Sequence, residues 1–206
     1  MPRVSHDKKL AHLSKNDPAL ATVIKGVKLN NLAKKGPEGY FESLVEAIVS
    51  QQLSVKAADT IFERFKKLTP GKKFPTPREI VKMSAVKMRK VGLSGMKVAF
   101  IKDLSAKIVD KSLDLKKIDR MSDEEVMEHL VQVKGIGQWT AEMFLMFSLG
   151  RDDIFSYGDL ALRNAMQKLY KMKKSPTPVQ AAKITANWSP YRSLGSRYLW
   201  ASLRKK

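Results

Sequence analysis

A glycine turn and an aspartate are the residues of this chain best suited to chemistry. Gly135 and Gly137 lie in a turn between two segments with helical periodicity. Glycines permit a tight turn and leave backbone N–H groups uncovered, and the N-terminus of the following helix adds positive potential. The turn is therefore predicted to bind a phosphate group. Asp159 opens the next helical segment, where its carboxylate suits either a helix N-cap or a catalytic role.

The composition indicates a polyanionic partner. The chain has 39 lysines and arginines against 20 aspartates and glutamates, which gives a net charge of +19. Nucleic acid or an acidic membrane surface would match that charge. The absence of cysteine excludes disulfides, iron–sulfur clusters and thiolate zinc sites. No apolar run reaches the length of a membrane span, and no signal peptide is evident, so a cytoplasmic (nucleoid) or nuclear location is expected.

The apolar periodicity predicts about ten helices and no strand, which places the chain in the all-α class. Asp17 is predicted to cap a helix that begins with Pro18. A single helix is predicted over 78–90. Ser122 and Glu125 have the spacing of a capping box at the start of the helix that leads into the glycine turn.

A charged, turn-rich stretch from Lys34 to Gly39 is predicted to link two helical lobes. One lobe is expected to span about 40–145 and to carry the glycine turn. The other is expected to combine 1–35 with 150–206. The active site is predicted to lie in the cleft between the lobes.

At this point the sequence resembles a known family. The block VKGIGQWTAEMFLMFSL, followed by FSYGDLALRNA, resembles the helix-hairpin-helix DNA glycosylase superfamily, and within it the compact 3-methyladenine DNA glycosylase II branch. The segments HLSKNDPAL, AIVSQQLS and NWSPYRS are similar to that branch as well. The resemblance implies an enzyme that flips alkylated purines, of the 3-methyladenine and 7-methylguanine type, out of double-stranded DNA. It would hydrolyse the N-glycosidic bond in base excision repair.

The resemblance assigns the catalytic role to Asp159, which would stabilise the cationic sugar and position a water molecule. Asp152 and Asp153 are nearby rivals whose positions suit loop or cap roles better. Lyase members of the superfamily carry a lysine at the position that is Trp139 here. The resemblance therefore implies a monofunctional hydrolase without lyase activity.

A pocket for the flipped base is expected to have aromatic walls, which attract a cationic alkylated base. Trp139 and Trp200 match the pocket aromatics of the family. Met143 stands where longer bacterial members carry a tyrosine. Phe41 and Tyr157 are further candidates, although core packing is the favoured interpretation of both.

The resemblance also implies three groups of DNA contacts. One is the hairpin itself, one is an elbow between two helices whose side chain fills the gap left by the flipped base, and one is a second backbone-contacting turn. In chain order, these residues are Gln52 or Leu53 in the elbow; Gly92, Ser94 and Lys97 in the second turn; and Lys134, Gly135, Ile136, Gly137 and Gln138 in the hairpin.

No cofactor is expected to be required. In relatives, the hairpin carbonyls hold a structural sodium or potassium ion, which here would involve the backbone of Val131, Val133 and Ile136. The protein is expected to act as a monomer on damaged double-stranded DNA, away from membranes. Two alternatives stay open, namely a non-enzymatic helix-hairpin-helix module that only binds DNA and a lyase that uses a lysine elsewhere.

We predict that incubation with lesion-containing DNA and sodium borohydride yields no covalent protein–DNA adduct, because position 139 carries an indole in place of an amine. The measurement is a denaturing gel of labelled DNA, with a lyase-type glycosylase as the positive control. A trapped adduct would show that another lysine forms a Schiff base, and the monofunctional assignment would be wrong.

Overall fold

The computed structural model describes residues 4–30, 34–71 and 73–203. Within these ranges the chain forms twelve α-helices and one short 3-10 helix, without a strand, which confirms the all-α prediction. None of these helices is long and apolar enough to cross a membrane. The helices are α1 (His6–Asn16), α2 (Pro18–Gly26), α3 (Pro37–Ser50), α4 (Val55–Lys66), α5 (Pro77–Lys82), α6 (Ala85–Lys90), α7 (Gly95–Val109), the 3-10 helix (Ile118–Arg120), α8 (Asp123–Val131), α9 (Gln138–Phe147), α10 (Leu160–Leu169), α11 (Pro178–Ala186) and α12 (Arg192–Ser202).

The helices form two compact units. The first, here called the hairpin unit, is one continuous stretch over 34–149 and contains α3 to α9. The second, here called the terminal unit, combines α1 and α2 with α10 to α12. Residues 1–3 and 31–33, which fall in the lobe predicted over 1–35, lie outside the described residues.

The corner between α1 and α2 forms as the sequence predicts. Helix α1 ends at Asn16, and Pro18 occupies the first turn of α2. Asp17 caps α2 because its Oδ1 accepts the Leu20 N–H at 2.8 Å. Proline suits this place because its missing N–H would have had no partner within the helix.

The Asp17 carboxylate also holds two distant side chains. Its Oδ2 accepts the indole N–H of Trp188 at 2.7 Å and the hydroxyl of Tyr170 at 2.5 Å. Asp17 is only 6% exposed, so these hydrogen bonds replace the water that the carboxylate has lost. Burial and the neighbouring carboxylate raise the pKa of the Tyr170 phenol far above its ordinary value. The N-terminal corner is thus joined to the ends of α10 and α11.

Trp188 is fully buried at the centre of the terminal unit. Helix α12 passes so close to it that a Cβ added at Gly195 would lie 2.5 Å from the indole ring. Only a glycine permits that approach. The remaining buried members of this core are Leu13, Leu20, Val23, Phe155, Leu162, Ala165, Met166, Ala181, Leu194, Tyr198 and Leu199.

In the hairpin unit, the segment predicted as one helix over 78–90 forms two. Helix α5 ends at Lys82, and Met83 is extended. Ser84 then caps α6 by accepting the Lys87 N–H at 3.2 Å. A serine hydroxyl competes with the helix for backbone groups, which explains a break that apolar periodicity does not reveal. The capping box predicted at Ser122 is present at the start of α8.

We predict that Asp17→Ala destabilises the protein by about 3–7 kcal/mol. The change removes a helix cap, worth about 1 kcal/mol, and leaves two buried donors unpaired at about 1–3 kcal/mol each. Chemical denaturation followed by circular dichroism measures the loss. Asp7→Ala, at an exposed position on α1, is the control and should unfold close to the wild type. Equal stability of the two variants would contradict a central role for Asp17.

Candidate active site

The glycine turn lies between α8 and α9 in the hairpin unit. Gly135 has a positive φ of 82°, and a Cβ added there would lie 2.1 Å from the ring of Phe100. Val133 and Ile136 are buried and anchor the turn. Hydrogen bonds from Val133 N to Leu130 O and from Ile136 N to Val133 O, both 3.0 Å, close the loop. The backbone therefore holds one conformation.

The N-terminus of α9 has no side-chain cap. Nine of the α-helices in the described ranges begin with a Ser, Thr or Asp side chain that accepts a backbone N–H. The N-cap residue of α9 is instead Gly137, and Gly137, Gln138 and Trp139 are exposed. Its first N–H groups and the positive end of its dipole are suited to an external anion. The exposed Lys134 precedes this end.

The Gln138 side chain and some carbonyls of the turn have hydrogen-bond partners within the protein. The Gln138 amide donates to Glu142 Oε1 at 2.9 Å, so this side chain has a protein partner. The carbonyls predicted to hold a monovalent ion belong to Val131, Val133 and Ile136. Val133 O accepts one hydrogen bond and keeps a second lone pair, so it fits an ion-binding role. The ion itself stays a prediction.

The elbow between α3 and α4 exposes the two residues predicted to fill the DNA stack. Gln52 has a positive φ of 57°, a left-handed conformation that turns the chain sharply, and Leu53 is 39% exposed. Gln51 behaves differently, because its side-chain amide donates to Gly135 O at 2.8 Å. The elbow is thus bound to the glycine turn. The only sign of this role in the sequence is that Gln51 is polar at a position where helical periodicity would place an apolar residue.

The second predicted turn precedes α7. Gly92 has a φ of 108°, and a Cβ there would lie 2.9 Å from Ile61. Ser94 caps α7 by accepting the Lys97 N–H at 3.2 Å. The Lys97 ammonium, predicted to contact DNA, donates to the carbonyls of Val49 at 2.7 Å and Gln51 at 2.8 Å. Burial lowers its pKa.

In the terminal unit, Asp159 is the N-cap of α10 and is 8% exposed. Its Oδ1 accepts the backbone N–H of Leu162 at 2.7 Å and the indole N–H of Trp200 at 3.1 Å. The cap role and the chemical role weighed for this residue are compatible, because the cap fixes the direction of the carboxylate. Trp200, predicted as a pocket aromatic, lies against that carboxylate.

The rival aspartates bind other protein groups. Asp153 forms a bidentate ion pair with Arg192, at 2.9 Å from Nε and 3.0 Å from Nη2, and accepts the Ser189 hydroxyl at 2.8 Å. Asp152 pairs with Lys9. Both aspartates therefore serve as links within the terminal unit, in agreement with the favoured interpretation.

The predicted base-pocket residues fall into two groups. Phe41 is buried and packs edge-on against Phe74, with ring centroids 5.8 Å apart. Tyr157 packs against Phe155 at 4.9 Å, beside the core of the terminal unit. Phe41 is therefore a core residue, and Tyr157 is a half-buried residue that packs against the core. Trp139, in contrast, is 49% exposed at the start of α9.

Met143 lines a cavity of about 280 Å³ within the hairpin unit. Helices α3 and α9 form its walls, through Ser43, Ala47 and Phe147 among others. Among the described residues, no group of three or more His, Asp and Glu side chains could hold a metal ion.

Comparisons with known proteins agree with the resemblance in the sequence. Residues 45–190 match the model of the HhH-GPD superfamily base excision DNA repair protein. The DNA-3-methyladenine glycosylase 1 of Schizosaccharomyces pombe is 38% identical, over 93% of this chain and 83% of the relative. The structure of an S. pombe 3-methyladenine DNA glycosylase with abasic DNA superposes with a TM-score of 0.81 at 36% identity, covering 96% of this chain and 97% of that one. A DNA-3-methyladenine glycosidase structure from Bacillus halodurans gives 0.84 at 33% identity, covering 96% and 89%.

We predict that Gly135→Ala lowers the free energy of unfolding by about 2 kcal/mol or more, because the new methyl group meets Phe100 at a positive φ. Gly137→Ala is the matched control, since no atom lies within 4 Å of its added Cβ. Its cost should stay below about 1 kcal/mol. Thermal unfolding compares the two, and equal melting temperatures would contradict the tight packing of Phe100 on the turn.

Proposed function

Because the chain belongs to the HhH-GPD superfamily of base excision DNA repair proteins, we propose that it is a 3-methyladenine DNA glycosylase that excises alkylated bases. The observation that carries the proposal beyond family membership is the oriented carboxylate of Asp159. It stands at the catalytic position of the family motif with two N–H donors on one oxygen. The substrate is double-stranded DNA with alkylated purines of the 3-methyladenine and 7-methylguanine type.

Asp159 stabilises the transition state in which the N-glycosidic bond breaks. The bonding electrons leave with the base, and positive charge develops on the sugar. A carboxylate held by Leu162 and Trp200 already has its direction fixed, so little reorganisation is needed as that charge appears. Water then adds to the sugar carbon and loses a proton. With an indole at position 139, no amine competes with water there.

The hairpin supplies the grip on the DNA backbone. Its uncapped helix end and Lys134 bind a phosphate, and the net charge of +19 favours any duplex. A monovalent ion on the carbonyls of Val131, Val133 and Ile136 would add positive charge beside that phosphate. These contacts position the protein and carry no base specificity. Binding the DNA backbone in this way does not require recognition of the base sequence.

Trp139 and Trp200 select the substrate. Alkylation at N3 or N7 makes a purine cationic, and the negative faces of indole rings attract a cation. Because the Trp200 indole N–H points at Asp159, its ring lies beside the reacting carboxylate. A base stacked on this ring would have its glycosidic bond close to the group that stabilises the sugar. Trp139, which is exposed on α9 in the hairpin unit, carries an indole that attracts a cation in the same way.

We predict that Asp159→Asn still binds DNA but releases 3-methyladenine at least about a hundredfold more slowly, since the charge on the sugar loses its counterpart. The amide oxygen of asparagine can still accept from Leu162 and Trp200, so the fold should be retained. Release of base from methylated duplex under single-turnover conditions measures the rate. Asp7→Asn, on the exposed side of α1, carries the same charge change as a control.

Wild-type excision by the Asp159→Asn variant would make the catalytic assignment wrong. A different result separates the enzyme from a non-enzymatic DNA-binding module. Such a module would show salt-sensitive DNA binding, with no release of base by the wild-type protein from any damaged duplex. A panel of duplexes with single lesions would define which alkylated purines are accepted.

A further inference from the structure

Helix α7 holds the elbow through Lys97. The ammonium group donates to the carbonyls of Val49 and Gln51, at the C-terminal end of α3. These carbonyls have no partner within the helix, and the negative end of the helix dipole favours a cation. The charge of Lys97 is therefore used inside the protein. It fixes the place where α3 ends and the elbow begins.

The same helix holds the hairpin through two residues further along. The ring of Phe100 occupies the space beside Gly135 that a side chain would need. Asp103 Oδ2 accepts the backbone N–H of Lys134 at 2.9 Å. Lys97, Phe100 and Asp103 follow each other at intervals of three, so they run along one side of α7.

Gln51 closes the arrangement. Its carbonyl receives the Lys97 ammonium at 2.8 Å, and its side-chain amide donates to Gly135 O at 2.8 Å. Both hydrogen bonds are partly buried, where they are stronger than in water. One residue thus connects the elbow directly to the glycine turn, 84 positions away. No spacing rule in the sequence would link the two.

We propose that Gln51 and Lys97 are positioning residues that set the distance between the phosphate grip of the hairpin and the Gln52–Leu53 tip of the elbow. The inference deepens the proposed glycosylase function and depends on it. A phosphate bound at the hairpin fixes where the duplex lies. The elbow, held at a constant offset from that phosphate, then presents its tip to the base stack beside the nucleotide that leaves it.

Backbone binding and filling of the base stack can be measured separately, whereas a general loss of structure would reduce both. The grip on the backbone depends on the N–H groups at the start of α9 and on charge, whereas the Gln51 side chain contacts the turn at the carbonyl of Gly135. Filling the stack depends on where the tip lies. Misplacement by about 1 Å can cost about a hundredfold in rate in a positioned reaction. Loss of the Gln51 link should therefore slow excision and leave backbone binding nearly unchanged.

The test uses Gln51→Glu, which keeps the shape of the side chain but replaces the amide donor with a carboxylate that faces Gly135 O. We expect affinity for undamaged duplex within about twofold of the control, and single-turnover excision at least about tenfold slower. Gln180→Glu is the matched control. It carries the same charge change, and its Oε1 accepts the Thr177 N–H, which a carboxylate can do equally well.

A second substrate provides a readout that a merely structural role would not move. When the lesion lies opposite an abasic site, it is already poorly stacked and its flipping costs less. The defect of Gln51→Glu should then shrink to within about threefold of the control, since little stack-filling is needed. Thermal unfolding checks that the variant is folded. If it is not, Gln51→Met, which removes the donor without adding charge, takes its place in both assays.

Lys97→Met tests the other half of the link, because it keeps the aliphatic stem and removes the ammonium. In the double variant with Gln51→Glu, Lys97→Met should slow excision by a smaller factor than it does alone, since both changes release the same elbow. Three results would each overturn the inference. The effects of the two changes could be fully additive, or the variants could excise at the control's rate. The third result is an equal loss of affinity for undamaged duplex and of excision from paired and from abasic-opposed lesions.

If the wild type releases no base, the proposed function fails and the inference fails with it. If the wild type is active and the Gln51 variants match the control, the inference fails alone.

Discussion

A buried carboxylate joins the parts of the terminal unit. Asp17 accepts the N–H of Leu20, the indole N–H of Trp188 and the hydroxyl of Tyr170. The first of these bonds starts α2, and the other two reach the ends of α11 and α10. A carboxylate with so little water around it must be satisfied by fixed donors, so the geometry of all three partners is constrained together. The packing of α12 over Trp188 depends on that constraint.

The same unit contains a second capping aspartate of this kind, and it is the one proposed to be catalytic. Asp159, like Asp17, is a helix N-cap that also accepts an indole N–H. At Asp17 three donors engage both oxygens, and the result is a structural joint. At Asp159 the N–H groups of Leu162 and Trp200 converge on Oδ1, and Trp200 lies near the surface. The same structural motif thus holds a desolvated carboxylate in a fixed direction at both positions.

The sequence was sufficient to predict a structural feature wherever that feature depends on a local interaction. The Asp17–Pro18 corner and the capping box at Ser122 follow from neighbouring residues, and both are present. The break at Ser84 was missed because a single side chain–backbone hydrogen bond overrides apolar periodicity. The roles of Gln51 and Lys97 could not be derived, since their partners lie 84 and 46 to 48 positions away. For Trp200, the motif indicated a pocket wall, whereas the hydrogen bond to Asp159 required the folded chain.

The carboxylate of Asp17 has a consequence for the order of assembly. Its two side-chain partners lie 153 and 171 residues further along the chain, whereas the hairpin unit is one uninterrupted stretch. Contacts over long sequence separations form late because closing the loop costs entropy first. On the ribosome, the hairpin unit is complete while α1 and α2 still lack their partners. The stretch proposed to bind the DNA backbone is therefore synthesised before Asp159 and Trp200, the residues proposed for catalysis and base binding, can meet.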